Sequence, residues 1–395
     1  MRIKTPENHQ SVKCATLYQF YFQNTLLAII SAALVSGQTT PRGIAHWVRE
    51  HKQALLAQLQ PAKGRLPGAS TIYRVLRKVN RGQLETQVAA HNQALDDDDA
   101  VTGGVTAANG QLLRGQAVDG KAVRGANKHG SARHLVSLVR HESGCVLNQC
   151  AVATKSTEIT AVPRLLAGRD LRGSVTTLDA LLTQRALARQ IGAQHGYYVM
   201  VVKQNQPALY AQIALLFNVP PVPVRPGESL TYSYTERSGH GRLETHTLEA
   251  STALTGYPDW PDAAQVMRRT CQRVILRTGE VSSATTYGIT SLGRDLALPV
   301  HLETFWRGHW TIENKVHYVR DETLREDRGQ THTGVPRKHW RPCAMALSAC
   351  CVIAAGTTSP KPCAIMEPQC SKHCGSSAGP QLETTLADPL VSPVP

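Results

Sequence analysis

The apolar residues between positions 12 and 80 recur every three or four places, which is the spacing of one helix face. Gly37, Pro41 and residues 61–68 interrupt this spacing and divide it into separate helices. Residues 1–95 are therefore predicted to form an α-helical N-terminal domain. Its apolar stripes comprise Leu17, Phe20, Tyr21, Leu26, Leu27, Ile30, Ile44, Trp47, Val48, Leu55 and Leu59.

Four consecutive aspartates, at positions 96–99, follow this helical region and precede a stretch rich in Gly, Thr and Ala that ends at Gly110. Contiguous like charges repel one another and favour solvation. Residues 96–110 are therefore predicted to be a linker.

From residue 112 the pattern changes to short β-like runs that alternate with helical ones. Strands are predicted for the run ending at Asp119, for 134–141 and 145–153 with a hairpin at Ser143–Gly144, for 175–179 and for 197–202. Helices are predicted for 157–166, 183–193 and 206–217. A three-strand meander followed by helix, strand, helix, strand predicts an α/β fold with a mixed sheet over residues 111–218.

Prolines at 220, 221, 223 and 226 end this region. Short alternating pieces between 230 and 298 predict a β-rich insertion over residues 219–299. Helical spacing returns after it, so residues 300–355 are predicted to form C-terminal helices of the core. Residues 356–395 are rich in Pro, Ser, Gly and Cys without periodicity, which predicts a disordered tail.

Three acidic residues occupy positions at which they could meet. Asp119 and Asp179 end the first and fourth predicted core strands, and the fourth strand of such a fold can lie beside the first. A later helix could add Glu313. Converging carboxylates repel unless divalent cations neutralise them, and carboxylate oxygens favour Mg²⁺ or Mn²⁺. Two such ions about 4 Å apart suit in-line displacement at phosphorus.

Simpler interpretations of these acids stay open at this point. Asp119, which precedes Gly120 and Lys121, and Asp179 could belong to ordinary turns at strand ends. Glu313 could form a helix ion pair with Lys315 or Arg320.

Composition narrows the choice of partner. The formal net charge of +14 over 395 residues indicates a polyanionic partner, most often nucleic acid and less often an anionic membrane surface. The apolar run 26–35 is about half the length of a membrane-spanning helix, so no membrane association is expected. Ten cysteines without a secretory leader favour a reduced, cytoplasmic protein.

Several motifs, in order along the chain, resemble those of a known family. They are Ala117-Val118-Asp119-Gly120-Lys121-Ala122-Val123-Arg124-Gly125, Lys155-Ser156-Thr157-Glu158-Ile159-Thr160, Thr177-Leu178-Asp179-Ala180, Val202-Lys203-Gln204-Asn205-Gln206, Gly239-His240-Gly241-Arg242-Leu243-Glu244-Thr245, Arg307-Gly308-His309-Trp310-Thr311-Ile312-Glu313-Asn314-Lys315 and Glu326-Asp327-Arg328. From residue 17 to residue 354 the chain resembles the ISAs family of bacterial insertion-sequence transposases, which includes the H-repeat-associated proteins.

This resemblance implies a DDE transposase with an RNase H-like core, a helical N-terminal associated domain and a β-rich insertion between the second Asp and the Glu. The implied catalytic and metal-binding triad is Asp119, Asp179 and Glu313, with two Mg²⁺ or Mn²⁺ ions. The implied partner is double-stranded DNA, bound by a homo-oligomer at the nucleoid of the bacterial cytoplasm. The implied phosphate contacts are Lys121, Arg124, Lys203, Arg307 and Lys315.

The Glu helix departs from the wider superfamily, which often carries Tyr, Arg, Glu and Lys there. The corresponding residues are Trp306, His309, Glu313 and Arg320. The expected activity is metal-dependent cleavage at element ends followed by strand transfer. The rival hypotheses are an inactive DNA-binding remnant or regulator and an RNase H-like nuclease without strand transfer. A sugar hydrolase using paired carboxylates is disfavoured, since it would not need the positive charge.

Overall fold

The computed structural model describes residues 25–38, 40–61, 64–98, 103–123, 133–152, 158–219, 229–238, 241–256 and 259–323. The predictions for Arg124, the motif at 326–328, the helix at 341–354 and the tail at 356–395 lie outside these residues.

The N-terminal part of the chain is helical, as its apolar spacing predicts. Its helices are α1 (residues 25–35), α2 (Pro41–Glu50), α3 (Lys52–Leu59), α4 (Ala69–Lys78) and α5 (Arg81–Asp98). Thr40 caps α2 by accepting a hydrogen bond from the Gly43 amide at 3.0 Å, and Pro41 occupies the first helical position. Buried residues of α1 to α4, including Ile30, Ile44 and Ile72, form one apolar cluster.

The start of the acidic run, Asp96 to Asp98, is helical and not a linker. Helix α5 continues to Asp98, and the Asp96 carboxylate is buried. Arg140 donates to Asp96 from Nε at 3.0 Å and from Nη2 at 2.6 Å, and Arg114 Nη1 lies 3.6 Å away. The predicted linker is therefore wrong for Asp96–Asp98. Arg140 and Arg114, which are distant in sequence, compensate the charge of Asp96 and allow it to be buried.

A mixed sheet forms the centre of the molecule. Strands β2 (Leu112–Val123), β3 (Arg133–Arg140) and β4 (Val146–Val152) form an antiparallel meander, and β1 (Val105–Thr106) pairs with the start of β2. Strand β5 (Ser174–Leu178) pairs parallel to β2, and β6 (Tyr197–Val202) pairs parallel to β5. The order β4-β3-β2-β5-β6 confirms the α/β mixed sheet and places the fourth core strand beside the first.

Three helices follow the core strands in the predicted order. They are α6 (Glu158–Leu166), α7 (Arg185–Ala193) and α8 (Pro207–Asn218). Their apolar faces pack on one side of the sheet, where Val162 and Leu187 join Val118, Leu178 and Met200 in the largest buried cluster. Successive residues of a strand face opposite sides of the sheet. The residues directly before and after Val118 and Leu178 in sequence therefore lie on the face away from these three helices.

The region predicted as a β-rich insertion extends this same sheet. It comprises β7 (Ser229–Ser238), β8 (Arg242–Ser251), β9 (Gln265–Ile275) and β10 (Val281–Thr290). Strand β10 pairs antiparallel with β6, so nine strands follow one another in the order β4-β3-β2-β5-β6-β10-β9-β8-β7, and β1, paired with β2, is the tenth strand of the sheet. The strands are longer than the short pieces predicted, because cross-strand pairing sustains them through polar stretches that carry no apolar alternation.

The helical spacing after residue 299 corresponds to two elements. Helix α9 (Pro299–Gly308) ends in a turn at His309 and Trp310, and a π-helical segment follows at Ile312–His317 and Val319–Thr323. Helix α9 buries Leu302 and Phe305 against β5, β6 and β8. Within the described part of the chain, no helix is long and apolar enough to cross a bilayer.

Candidate active site

The two aspartates meet because their strands are parallel neighbours. In the β2–β5 ladder Val118 lies opposite Leu178, so Asp119 and Asp179 are the next residues on each strand. The Gly120 amide donates to Asp119 Oδ1 at 2.8 Å, and the Leu182 amide donates to Asp179 Oδ1 at 3.0 Å. These hydrogen bonds fix both carboxylates at one end of the parallel pair.

The π-helical segment brings Glu313 to the same place. Ile312 and Val316, one helical turn apart, pack against Ala117 of β2 and against Val139 and Val146. Ala117 and Asp119 share a face of β2, so the segment covers the face that carries the aspartate. Glu313, next to Ile312, is itself exposed.

A cavity of about 330 Å³ contains all three predicted acids. Of the predicted phosphate contacts, Lys203 also lines it. Its remaining lining comes from Thr177, Leu178, Ala180, Val199, Val201, Arg269, Thr286, Trp306, His309 and Trp310.

The site perturbs the ionisation of Asp119. The pKa of Asp119 is raised to about 7 by burial and by the nearby carboxylates of Asp179, Glu313 and Glu158, although the hydrogen bond from Gly120 opposes them. Without a neighbouring cation, Asp119 is therefore mainly protonated below about pH 7. A divalent ion would reverse this preference, which is the behaviour of a carboxylate metal ligand.

Neutral histidines surround the acids. Thr177 Oγ1 lies 2.9 Å from His309 Nδ1 and 3.0 Å from His141 Nε2, and the hydroxyl donates to the Gln116 carbonyl at 3.2 Å. Burial lowers the pKa of His309, and burial, followed by the proximity of His309, lowers that of His141 to about 3. These uncharged rings fix the turn between α9 and the π-helical segment without adding cations to the site.

His317 lies on the π-helical segment beside the first aspartate. Its Nδ1 is 3.7 Å from Asp119 Oδ2. Burial, with Lys121 and Arg320 nearby, lowers the pKa of His317 to about 3. This contact is therefore not an ion pair at neutral pH.

Most of the other predicted phosphate contacts lie outside the cavity. Lys121 is buried and ion-paired with Asp321. Arg307 contacts Glu236 at 3.1 Å and donates to the Tyr234 hydroxyl at 2.5 Å. Lys315 donates to the Glu142 carbonyl at 2.8 Å. Arg124 lies outside the described residues.

Sequence reasoning missed Arg269 and His141 and gave His309 no role at the acids. Arg269 is adjacent to Arg268 in a strand that the sequence marks only as β-rich, and nothing local distinguishes the two. Of these three residues, only His309 could have been found from the sequence. It lies four residues before Glu313, which places the two side chains on the same face of a helix.

A second group of possible metal ligands, Glu244, His246 and Cys271, lies on β8 and β9, and none of the three lines the cavity. Arg269 Nη2 donates to His246 Nδ1 at 3.0 Å, so the neutral ring carries its hydrogen on Nε2. That nitrogen lies 3.3 Å from Glu236 Oε1 but makes no hydrogen bond among the described residues. Arg273 also occupies the Glu244 carboxylate, at 2.7 Å. Arginines therefore contact two of these three residues, His246 and Glu244, and the group lies apart from the three acids.

Comparison with known proteins identifies transposase families over most of the chain, in agreement with the motifs of the sequence. The family model described as "Transposase DDE domain" matches residues 110–340, and the one described as "DDE_Tnp_1-associated" matches residues 18–91.

Individual relatives are also similar along much of the chain. The putative transposase YncI of Escherichia coli O157:H7 is 30% identical over 68% of this chain, and the match spans 66% of that relative. The H repeat-associated putative transposase YhhI of Escherichia coli K12 is 30% identical over 76% of this chain and 77% of its own length.

A solved structure of the piggyBac transposase synaptic complex with hairpin DNA aligns with 88% of this chain and 74% of that chain, at 9% identity and a TM-score of 0.34. A TM-score this low supports no conclusion about the fold or the function.

Proposed function

The chain belongs to the DDE-superfamily insertion-sequence transposases, and from this premise we propose that it cuts DNA at the ends of an insertion sequence and joins them to a target. Its mixed sheet is the RNase H-like core of that family. The domain division proposed with it is a helical region over residues 1–95, a core over 111–218 and 300–355, and an insertion over 219–299.

The observation that carries the proposal is the cavity shared by Asp119, Asp179 and Glu313. Their carboxylates would hold two divalent ions, Mg²⁺ or Mn²⁺. Ions bound there would activate the attacking oxygen and stabilise the leaving oxygen of a phosphodiester. Asp119 would be deprotonated as a ligand of a cation, and the Gly120 amide would keep that carboxylate oriented.

Double-stranded DNA is the proposed substrate, since the chain carries a net charge of +14 and exposed Lys203 lines the cavity. Lys203 is the proposed phosphate contact at the reacting strand. Arg307 and Lys315 would contact phosphates farther away, and Lys121 would position Asp321. A multimer with one site per end is the proposed assembly, because it is the economical way to bring two ends together. It would act on chromosomal DNA in the bacterial cytoplasm.

Transposition in cells tests this proposal. A resistance marker between the native sequences flanking the gene is placed on a donor plasmid, with the protein supplied separately. The wild-type protein is expected to move the marker to new sites, whereas Asp119→Asn, Asp179→Asn and Glu313→Gln are expected to abolish movement. Asp170→Asn is the matched control, because Asp170 is exposed and pairs only with neighbouring Arg172 among the described residues.

The rival hypotheses give different outcomes. An inactive remnant or regulator would occupy the flanking sequences without excision or insertion by any variant. A nuclease would yield broken donor plasmids that depend on the three acids but no insertions. Either result would overturn the proposal.

A further inference from the structure

Arg269 is a cation at the wall of the active-site cavity that no sequence motif marked. It lies on β9, its side chain is 8% exposed, and it lines the cavity together with the three acids. A buried guanidinium is costly unless it is paired, so its position needs an explanation.

Three neighbours fix the guanidinium plane. Nε donates to Glu303 Oε2 at 2.8 Å, and Nη2 donates to Glu303 Oε1 at 2.8 Å, which is the bidentate geometry of an arginine–carboxylate pair. Nη2 also donates to His246 Nδ1 at 3.0 Å. The ring of Trp310 lies 5.3 Å from the guanidinium carbon.

These contacts use Nε and Nη2 and leave one nitrogen. Among the described residues, Nη1 has no hydrogen-bond partner, although it carries two N–H groups. The guanidinium is therefore held rigidly with unused donors in a residue that lines the cavity.

The lining of the cavity contains charged side chains of both signs. Asp119, Asp179 and Glu313 are acidic, whereas Lys203 and Arg269 are the basic residues of its lining. A phosphodiester held by cations on the acids would still present a non-bridging oxygen to the rest of the cavity. A rigid arginine donor suits that oxygen better than a mobile amine does.

We propose that Arg269 is a phosphate-binding residue of this site, donating from Nη1 to a non-bridging oxygen of a DNA phosphate at the acids. Glu303 and Trp310 are its positioning residues. This inference rests on the proposed function, because it assumes that DNA enters the cavity.

Arg268 provides a matched control on the same strand. It is paired with Glu249, as Arg269 is with Glu303, but it faces the opposite side of the sheet and contacts the Phe217 ring and carbonyl. Substituting each arginine in turn removes the same charge from the same strand, on the two opposite faces.

The test combines protein substitution with neutral phosphates. The full chain is bound to duplexes of the native flanking sequence in which single phosphates around the cleavage position are replaced by methylphosphonates. For the wild type and Arg268→Gln, one replacement is expected to weaken binding by about tenfold or more, the size of a lost hydrogen bond to a charged group. For Arg269→Gln, binding to the unmodified duplex is weakened and that replacement has no further effect.

Loss of folding is separated from loss of contact by two further variants. Arg269→Lys retains a cation beside Glu303, and the Arg269→Gln/Glu303→Gln double variant removes both charges of the pair. Both are expected to fold, as judged by thermal unfolding, and both should lose sensitivity at the same phosphate.

The outcomes distinguish this inference from the proposed function. If the wild type cuts DNA while Arg269→Gln remains as sensitive to every methylphosphonate as Arg268→Gln, Arg269 is a structural ion pair and the inference fails alone. If Arg269→Gln loses sensitivity at one phosphate but the wild type never cuts, the phosphate site stands and the cleavage function fails.

Discussion

Asp119 is the acid of the site whose ionisation responds to its surroundings. Its pKa is raised to about 7 from the ordinary value of 3.8, chiefly by burial. The folded protein therefore binds a proton there that the unfolded chain releases between these two pH values. The stability that this proton contributes is fully present below pH 3.8 and is lost as the pH rises through 7.

Asp119→Asn is expected to stabilise the metal-free protein at pH 8, because the neutral amide avoids the buried charge. A gain on the order of 2–4 kcal/mol in the free energy of unfolding follows from the size of the pKa shift. Urea unfolding in EDTA at pH 8 and at pH 4 measures it, and the gain should disappear at pH 4. An equal stability of the two proteins at pH 8 would show that Asp119 is not buried among like charges.

The acids were predictable from sequence, and their surroundings were not. Asp179 directly follows β5, as predicted, and strand adjacency follows from the order of elements. The predicted end of the first core strand at Asp119 is wrong, because β2 continues to Val123 through its pairing with β3. Arg269 has no local signal, because its role depends on Glu303, thirty-four residues away in sequence, and on the pairing of β9 with β8 and β10.

At the scale of elements, Gly288 determines how closely α9 approaches the sheet. A Cβ at Gly288 would lie 2.4 Å from Trp306 Cζ3, and Trp306 is buried on α9. Only a glycine on β10 therefore allows Trp306 to line the cavity.

Gly288→Ala is expected to destabilise the protein by about 1–3 kcal/mol, the usual cost of overpacking a core. Urea unfolding should show a lower midpoint with an unchanged slope. Gly82→Ala is the control, because Gly82 is exposed in α5 and a Cβ there meets nothing closer than 3.6 Å. Equal midpoints for the Gly288 variant and the wild type would contradict the close packing.

Helix α5 is attached to the core through the buried Asp96–Arg140 pair. Asp96→Ala would leave Arg140 buried without its partner, so a loss of about 3–5 kcal/mol is expected. Chemical denaturation measures the loss, and Asp170→Ala, at an exposed pair, should be nearly neutral. If the two substitutions had equal effects, Asp96 would be solvated as the sequence pattern predicted.

The order and type of the core elements were predictable, since apolar spacing distinguishes helices from strands. The extension of the sheet by β7 to β10 was not. Its strands are sustained by pairing with β6 through β10, a long-range contact that residue spacing does not encode. The burial of Asp96 was not predictable for the same reason, because its partner Arg140 lies forty-four residues away in sequence.

At the scale of the whole molecule, the net charge of +14 predicts DNA binding that depends steeply on salt. Each neutralised phosphate releases counterions, so affinity for a duplex should fall by on the order of 10³ between about 50 and about 200 mM salt. Fluorescence anisotropy measures how steeply affinity falls with salt, for a duplex of the flanking sequence and for an unrelated duplex. A nearly flat dependence for both would show that the charge does not serve nucleic-acid binding.

The central claim is that Asp119, Asp179 and Glu313 form a metal-dependent DNA-cutting site, and cleavage by the purified protein tests it most directly. A supercoiled plasmid carrying the gene with its native flanks is incubated with Mg²⁺, Mn²⁺ or EDTA, and the strand ends are mapped. Nicks at the element ends are expected with either metal for the wild type and Asp170→Asn. None are expected in EDTA, or with Asp119→Asn, Asp179→Asn or Glu313→Gln, although these variants still bind. Binding without cleavage by the wild type under any metal, or cleavage that survives the three substitutions, would contradict the claim.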